Sequence, residues 1–397
     1  MHTQTASPAT GHELAAGLAP ALDAMAPAFP SLWDVQAVAA AVQRRIGYDD
    51  AAGRWSVDPH QWTDSAVAFE LEVSPGVLRL RSRGLHAQPD LLAPARDPEL
   101  VLWSDVPDVQ EAPEGRRGVI TEWSSRSRAN MAATIGSLDL SDWNADGRRA
   151  LMFITLTLPG EWQQVAPTGA AFKRIMDNFR RAWDRRLGKL MGVWKLEFQE
   201  RGAPHLHILA TAPARIDGRL AYKWIAQQWV AAVNHPDHEQ RRLQLSAHDF
   251  SNEDHPTGCV EIVDQWADHK KLAVYFNKHS AKTRDAKEYQ HNVPAQWRRP
   301  GAGPGRFWGV WGLKRATCRV PVSRVTAAKV LRIMRHVAEA RNADQQLRVL
   351  RHAGIPVSRA RLSRLRYPRR LAGMWILTND GLQLALDIAR SLSLERT

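Results

Sequence analysis

Apolar residues recur along the chain with two periods. At 66–82, "AVAFELEVSPGVLRLRS" alternates apolar and polar positions around a Pro-Gly pair, which predicts a β-hairpin. "RALMFITLTLP" (149–159) is an apolar, β-rich run closed by proline, the signature of a buried strand. Two more strands are predicted in "KLEFQERGAPHLHILA" (195–210), joined by the "ERGAP" turn, and a short one in "GCVEIVD" (258–264). Helical spacing marks "LWDVQAVAAAVQRRIG" (32–47), "GAAFKRIMDNFRRAWDRRLGK" (169–189), "YKWIAQQWVAAVN" (222–234) and "HKKLAVYFNKHSAK" (269–282). "SRSRANMAATIGSLDL" (125–140) is basic and then helical, and "PGAGPGRFWGVWG" (300–312) reads as a Gly-rich aromatic loop. The middle of the chain therefore alternates β-α-β-β-α-β-α. That order predicts an α+β fold, an antiparallel central sheet flanked by helices.

The flanks read differently. Residues 1–30 are rich in Ala, Pro and Thr, carry no Lys or Arg, and read as a flexible tail without the basic start of a secretory signal. Residues 31–115 form an N-terminal region of open role that ends in a Pro-rich, acidic linker or long loop from 84. A catalytic core is expected over 116–315. Residues 316–397 are expected to be a basic helical C-terminal segment that binds duplex DNA.

Charge sharpens this picture. The 397 residues carry 54 Lys and Arg against 41 Asp and Glu, a net +13. A surplus of this size favours a polyanionic partner. Thirteen of those cations, against two acids, lie in 321–370, where a basic helix suits phosphate contacts. Two cysteines exclude a disulfide framework and a thiolate zinc cluster, so a reducing cytoplasm is expected. No run is long and apolar enough for a membrane helix, and no phosphate-binding G-x-x-x-x-G-K-[ST] loop is encoded.

The chemistry gathers at "PHLHIL". On a strand, His205 and His207 project from one face, with Leu206 and Ile208 toward the core. Lys195, Glu197 and Gln199 share one face of the preceding strand, so pairing through the turn can bring Glu197 to the histidines. Two neutral imidazoles and a carboxylate suit Mg²⁺, Mn²⁺ or Zn²⁺. On the 269–282 helix, Lys271, Tyr275, Lys278, His279 and Lys282 fall on one stripe. Lysines around a tyrosine bias it toward the phenolate, a competent nucleophile toward phosphorus. Thr155 and Thr157 either face the same site or line the sheet. Trp308 and Trp311 either stack on unpaired bases or pack in the core.

In order, "FITLTLP", "PHLHIL" and "LAVYFNKHSAK", followed by "GRFWGVWG" (305–312), resemble the motifs of the HUH endonucleases, in particular the rolling-circle replication initiators of plasmids and phages. The resemblance covers about 118–315. It implies that His205, His207 and Glu197 hold Mg²⁺ or Mn²⁺ and that Tyr275 attacks a single-stranded DNA phosphate, leaving a 5′-phosphotyrosine and a free 3′-hydroxyl. Lys278 would orient the phosphate or stabilise the tyrosinate. Lys271, Lys282, Arg306, Arg332 and Arg335 are the expected DNA contacts. With no ATPase encoded, strand separation falls to supercoiling or a host helicase, and extension to a host polymerase; no membrane is involved, and the oligomeric state is left open.

The chain departs from the family pattern at one position. Members with two catalytic tyrosines place the second one turn beyond the first, where this chain has His279, and Tyr289 is too far along to share the helix face. A single-tyrosine enzyme follows, in which His279 either activates a second nucleophile or contacts phosphate. Two alternatives share part of the pattern. One is an HUH transposase or mobilisation relaxase, although relaxases place the tyrosine before the histidines. The other is a non-catalytic DNA-binding replication protein.

Overall fold

The computed structural model describes residues 30–49, 54–55, 69–82, 120–144, 148–249, 258–263, 269–277, 292–356, 362, 365 and 374–394. The expected tail up to residue 29, the linker at 84–115, and Lys278, His279, Lys282 and Tyr289 lie outside the described residues. The longer elements, in chain order, are α1 (Leu32–Ile46), β1 (Phe69–Val73), β2 (Val77–Ser82), α2 (Ser125–Ile135), β3 (Arg149–Thr157) and α3 (Gly169–Leu187). They continue with β4 (Gly192–Phe198), β5 (Pro204–Pro213), α4 (Ala221–Val233), α5 (His238–Asp249), β6 (Val260–Ile262) and α6 (His269–Asn277). The last are β7 (Trp308–Trp311), β8 (Cys318–Val322), α7 (Arg324–His352), β9 (Met374–Leu377) and α8 (Gly381–Leu394). The fold is α+β, as its alternation predicts. Among the described residues no helix is long and apolar enough to cross a membrane.

Five strands form the main sheet in the order β6-β3-β5-β4-β7, every neighbour antiparallel. The turn between β4 and β5 closes with Gln199 N–H donating to Ala203 O, and Gly202 supplies a φ of +77° that a side chain rarely adopts. One sheet face is apolar: Ile154, Leu156, Leu206, Ile208, Trp194 and Leu196 alternate with the histidine face along their strands. The amphipathic helix α3 begins at Thr168, whose hydroxyl accepts from Ala171 N–H. Its Phe172 and Phe179 meet Trp229 of α4 edge-on.

A second sheet has the order β8-β1-β2-β9, again antiparallel throughout. Phe69, Leu71, Val73, Leu78 and Leu80 point into a separate core closed by α1, α7 and α8. Helix α1 starts with a capping box between Ser31 and Asp34 and buries Val35, Ala39, Val42 and Ile46 on one stripe. The N-terminal hairpin and the C-terminal segment, read apart in the sequence, therefore share one sheet and one core. The C-terminal segment is also less purely helical than expected: β8 and β9 are strands, and α7 buries Ala327, Val330, Leu331 and Met334.

The β1–β2 tip joins the two cores. Gly76 N–H donates to Gly136 O, and a Cβ at Gly76 would collide with His269 at the start of α6. His269 in turn bonds Leu138 O through Nε2 (2.8 Å). Two other expectations change. The aromatic loop at 300–312 ends in a strand, β7, at the sheet edge. Helix α5 has no counterpart in the predicted elements: its twelve residues bury only Gln244 and His248, so there is little apolar period to read.

Candidate active site

Register builds the site. Thr155 on β3, His207 on β5, Lys195 on β4 and Trp308 on β7 stand in one row across the sheet. Thr157, His205 and Glu197 form the adjacent row. Antiparallel partners share a face, so the two predicted histidines and Glu197 are brought together.

The contacts are specific. His207 Nε2 lies 3.1 Å from Glu197 Oε2, and its Nδ1 lies 3.1 Å from Thr155 Oγ1. The carboxylate can only accept, so Nε2–H donates to Glu197, while Nδ1 and the threonine hydroxyl share the second bond. Lys195 Nζ donates to Glu197 Oε1 at 2.8 Å. Lys195 is 0% exposed and Glu197 1%, so this ion pair is buried. Burial alone would raise the Glu197 pKa; the His207 hydrogen bond and the Lys195 charge outweigh it and hold the carboxyl far below the usual range. Burial depresses Lys195, and Glu197 opposes that shift.

His205 packs 4.5 Å from His207, ring centroid to centroid. Burial, then the charge of His207, keeps its pKa well below the ordinary value, so its imidazole is neutral at pH 7. Among the described residues its buried Nδ1 has no hydrogen-bond partner. A neutral ring with an unpartnered nitrogen is the ligand form of histidine. The described residues nevertheless contain no group of three His, Cys, Asp or Glu side chains placed to hold an ion. The chemistry of the donor set and the unpartnered nitrogen suits a divalent metal, although among the described residues the three side chains do not converge on one point.

Tyr275 comes from α6, on the same sheet face. Phe153 separates it from the histidines: its ring stacks 5.1 Å from His207 and meets Tyr275 edge-on at 5.4 Å. The described surroundings of Tyr275 run against the expected bias toward phenolate; Lys278 and Lys282 lie outside the described residues. Burial comes first, followed by a hydrogen bond to the Glu261 carboxylate and its charge, and together they raise the Tyr275 pKa. Lys271 sits exposed on α6 and does not dominate the phenol's surroundings. Tyr275 is thus held as a neutral phenol, with the Glu261 carboxylate opposing its ionisation. Arg306 is exposed beside β7, Arg332 is exposed on α7 and Arg335 half-buried there, on elements other than the histidine strand.

Three participants escape a sequence reading. Lys195 shows only as a polar position in an alternating strand. Glu261 meets Tyr275 because β6 pairs with β3, Glu261 opposite Phe153. His248 accepts from Thr157 N–H at 2.9 Å and donates through Nδ1 to Gln244 O at 2.7 Å, fixing the end of β3 beside His205. Burial lowers its pKa. Of the two tryptophans, Trp308 donates to Ser127 Oγ (3.0 Å) and Trp311 packs 5.9 Å from Trp194.

The segment that builds this geometry is also the one that resembles known proteins. Residues 151–284, from β3 past the described part of α6, match a family model of replication-associated proteins, the ORF2 type. The chain is also similar to a replication-associated protein of Pseudomonas phage Pf3, 26% identical over 210 residues. That alignment covers 50% of this chain and 61% of the phage protein, so the chain spans less than two thirds of that relative's length. No solved structure matches.

Proposed function

We propose that this chain initiates replication of a phage or plasmid DNA by nicking one strand of its origin through Tyr275. The observation that carries the reading is the pair of rows across one sheet face, Thr155–His207–Lys195 and Thr157–His205–Glu197, with Tyr275 one phenyl ring away. Similarity to replication-associated proteins over the same segment supports it.

In this reading His205, His207 and Glu197 hold Mg²⁺ or Mn²⁺. Such an ion supplies Lewis-acid polarisation of the scissile phosphate and stabilises charge in the transition state. Lys195 fixes one carboxylate oxygen, and Thr155 orients His207. The Tyr275 oxygen bonds phosphorus as the P–O3′ bond breaks. The phenol proton passes to Glu261, and the departing 3′ oxygen takes a proton from solvent. The products are a 5′-phosphotyrosine and a 3′-hydroxyl from which a host polymerase extends after a host helicase opens the duplex. Lys278 and Lys282 would contact the phosphates, together with Lys271 and Arg306. The core at 116–315 carries this chemistry, and Arg332 and Arg335 of the C-terminal segment contact origin duplex.

The test is a nicking assay on labelled single-stranded origin DNA with Mn²⁺, for wild type, His207→Ala and Tyr275→Phe. Wild type is expected to give a product that polymerase extends, and both variants none. Binding without cleavage of any origin fragment would instead support a non-catalytic replication protein.

A further inference from the structure

The row through His207 and Lys195 ends at Trp308 on the edge strand β7, roughly 10 Å from the histidine by strand spacing. Beside that edge opens a cleft of about 930 Å³ between β7, α2 and the second sheet. Among the described residues, its walls carry Arg79, Arg306, Lys314 and Arg315 against a single acid, Glu122. Arg306 and Lys314 are exposed. Arg79 belongs to the N-terminal hairpin, whose role the sequence leaves open.

Cations outnumber acids around this cleft, and they crowd one another. Glu72 takes Arg81 at 3.2 Å and Arg79 at 3.8 Å. Arg315, held by Thr134 Oγ1 at 2.7 Å, feels burial first and then the charges of Arg79, Arg81 and Arg319 pressing its pKa down against the pull of Glu72. A phosphate entering this cluster would relieve the repulsion, and the Trp308 ring at the cleft edge offers a face to an unpaired base.

We propose that this cleft holds a single nucleic-acid strand beside the candidate site, with the N-terminal hairpin supplying part of the phosphate contact. The inference rests on the nicking reading for the strand's destination but on the cleft alone for its path. Charge complementarity selects the polyanion. A groove joining cations to an aromatic face suits an unstacked single strand rather than duplex DNA.

The experiment measures binding of a fluorescent single-stranded oligonucleotide by anisotropy across a salt series, in EDTA so that no strand is cut. Variants are Arg306→Gln/Lys314→Gln, the same pair with Arg79→Gln, and the exposed control pair Arg185→Gln/Lys189→Gln at the end of α3. Each lost phosphate contact lowers the slope of log affinity against log salt by about 0.7. The double variant is expected to lose about 1.4 and the triple about 2, with the control pair unchanged. Circular dichroism checks that each variant is folded, and the exposed double variant stands alone if Arg79→Gln is not. An unchanged slope in a folded double variant overturns the proposal, as does an equal loss for duplex of the same length. Covalent adduct formation is scored separately. An adduct with an unchanged slope removes the cleft and leaves the nicking reading. A lowered slope in a protein that forms no adduct keeps the cleft and removes the nicking.

Discussion

At the residue scale, two pairings set the chemistry of the site, the first buried and the second with its carboxylate exposed. Lys195 and Glu197 are an ion pair sealed from water. Removing one partner of such a pair costs about 3–5 kcal/mol because it strands the other charge. Lys195→Met is therefore expected to lose that much in urea unfolding, and adding Glu197→Gln to restore most of it. The second pairing is Tyr275 with Glu261. Glu261→Gln should lower the phenol pKa, read as phenolate absorbance against Tyr275→Phe, yet slow nicking by about 10²-fold or more because the proton acceptor is gone. A phenol that only needed to ionise would speed up instead. His248 gives a pH signature. Its folded pKa is lowered, so the unfolded chain binds the proton first as pH falls. Its contribution is complete above the unfolded value near 6.5 and shrinks below it by up to about 1.4 kcal/mol per pH unit. Unfolding free energy should drop between pH 7.5 and 5.5, and less steeply in His248→Asn. Of these groups, His205, His207, Glu197 and Tyr275 were legible because spacing along one strand or helix sets their direction. Lys195, Glu261 and His248 were not, since their roles come from cross-strand register and a helix with little apolar period.

At the element scale, the strands of the main sheet and most of its helices follow from local pattern. Alternation and the Gly-Ala-Pro turn fix β4 and β5, and a continuous apolar run fixes β3. The second sheet was hidden for a physical reason. Its hairpin pairs with Cys318–Val322 and Met374–Leu377, strands far away in the chain, and no local signal announces such a pairing. This sheet bears on the site because its Pro-Gly tip packs against His269, the first residue of the helix that carries Tyr275. A methyl group at Gly76 must push His269 or Gly136. Gly76→Ala is expected to cost about 1–3 kcal/mol in chemical denaturation. It should also reduce nicking in the folded fraction, though the substitution lies outside the candidate site.

At the scale of the whole molecule, two cores share one junction, and the helix that carries Tyr275 begins there. A metal that binds the folded chain and not the unfolded one stabilises it by mass action, about 2.7 kcal/mol at a hundredfold excess over its dissociation constant. Mn²⁺ should therefore raise the melting temperature of wild type but not of His205→Ala. The central claim is that Tyr275 becomes covalently joined to DNA. The measurement is to react the protein with single-stranded origin DNA and Mn²⁺, digest both components, and locate the nucleotide-bearing peptide by mass spectrometry. The account predicts the adduct on the peptide containing Tyr275. An adduct on the peptide containing Tyr289, or none from a preparation that nicks DNA, would contradict it.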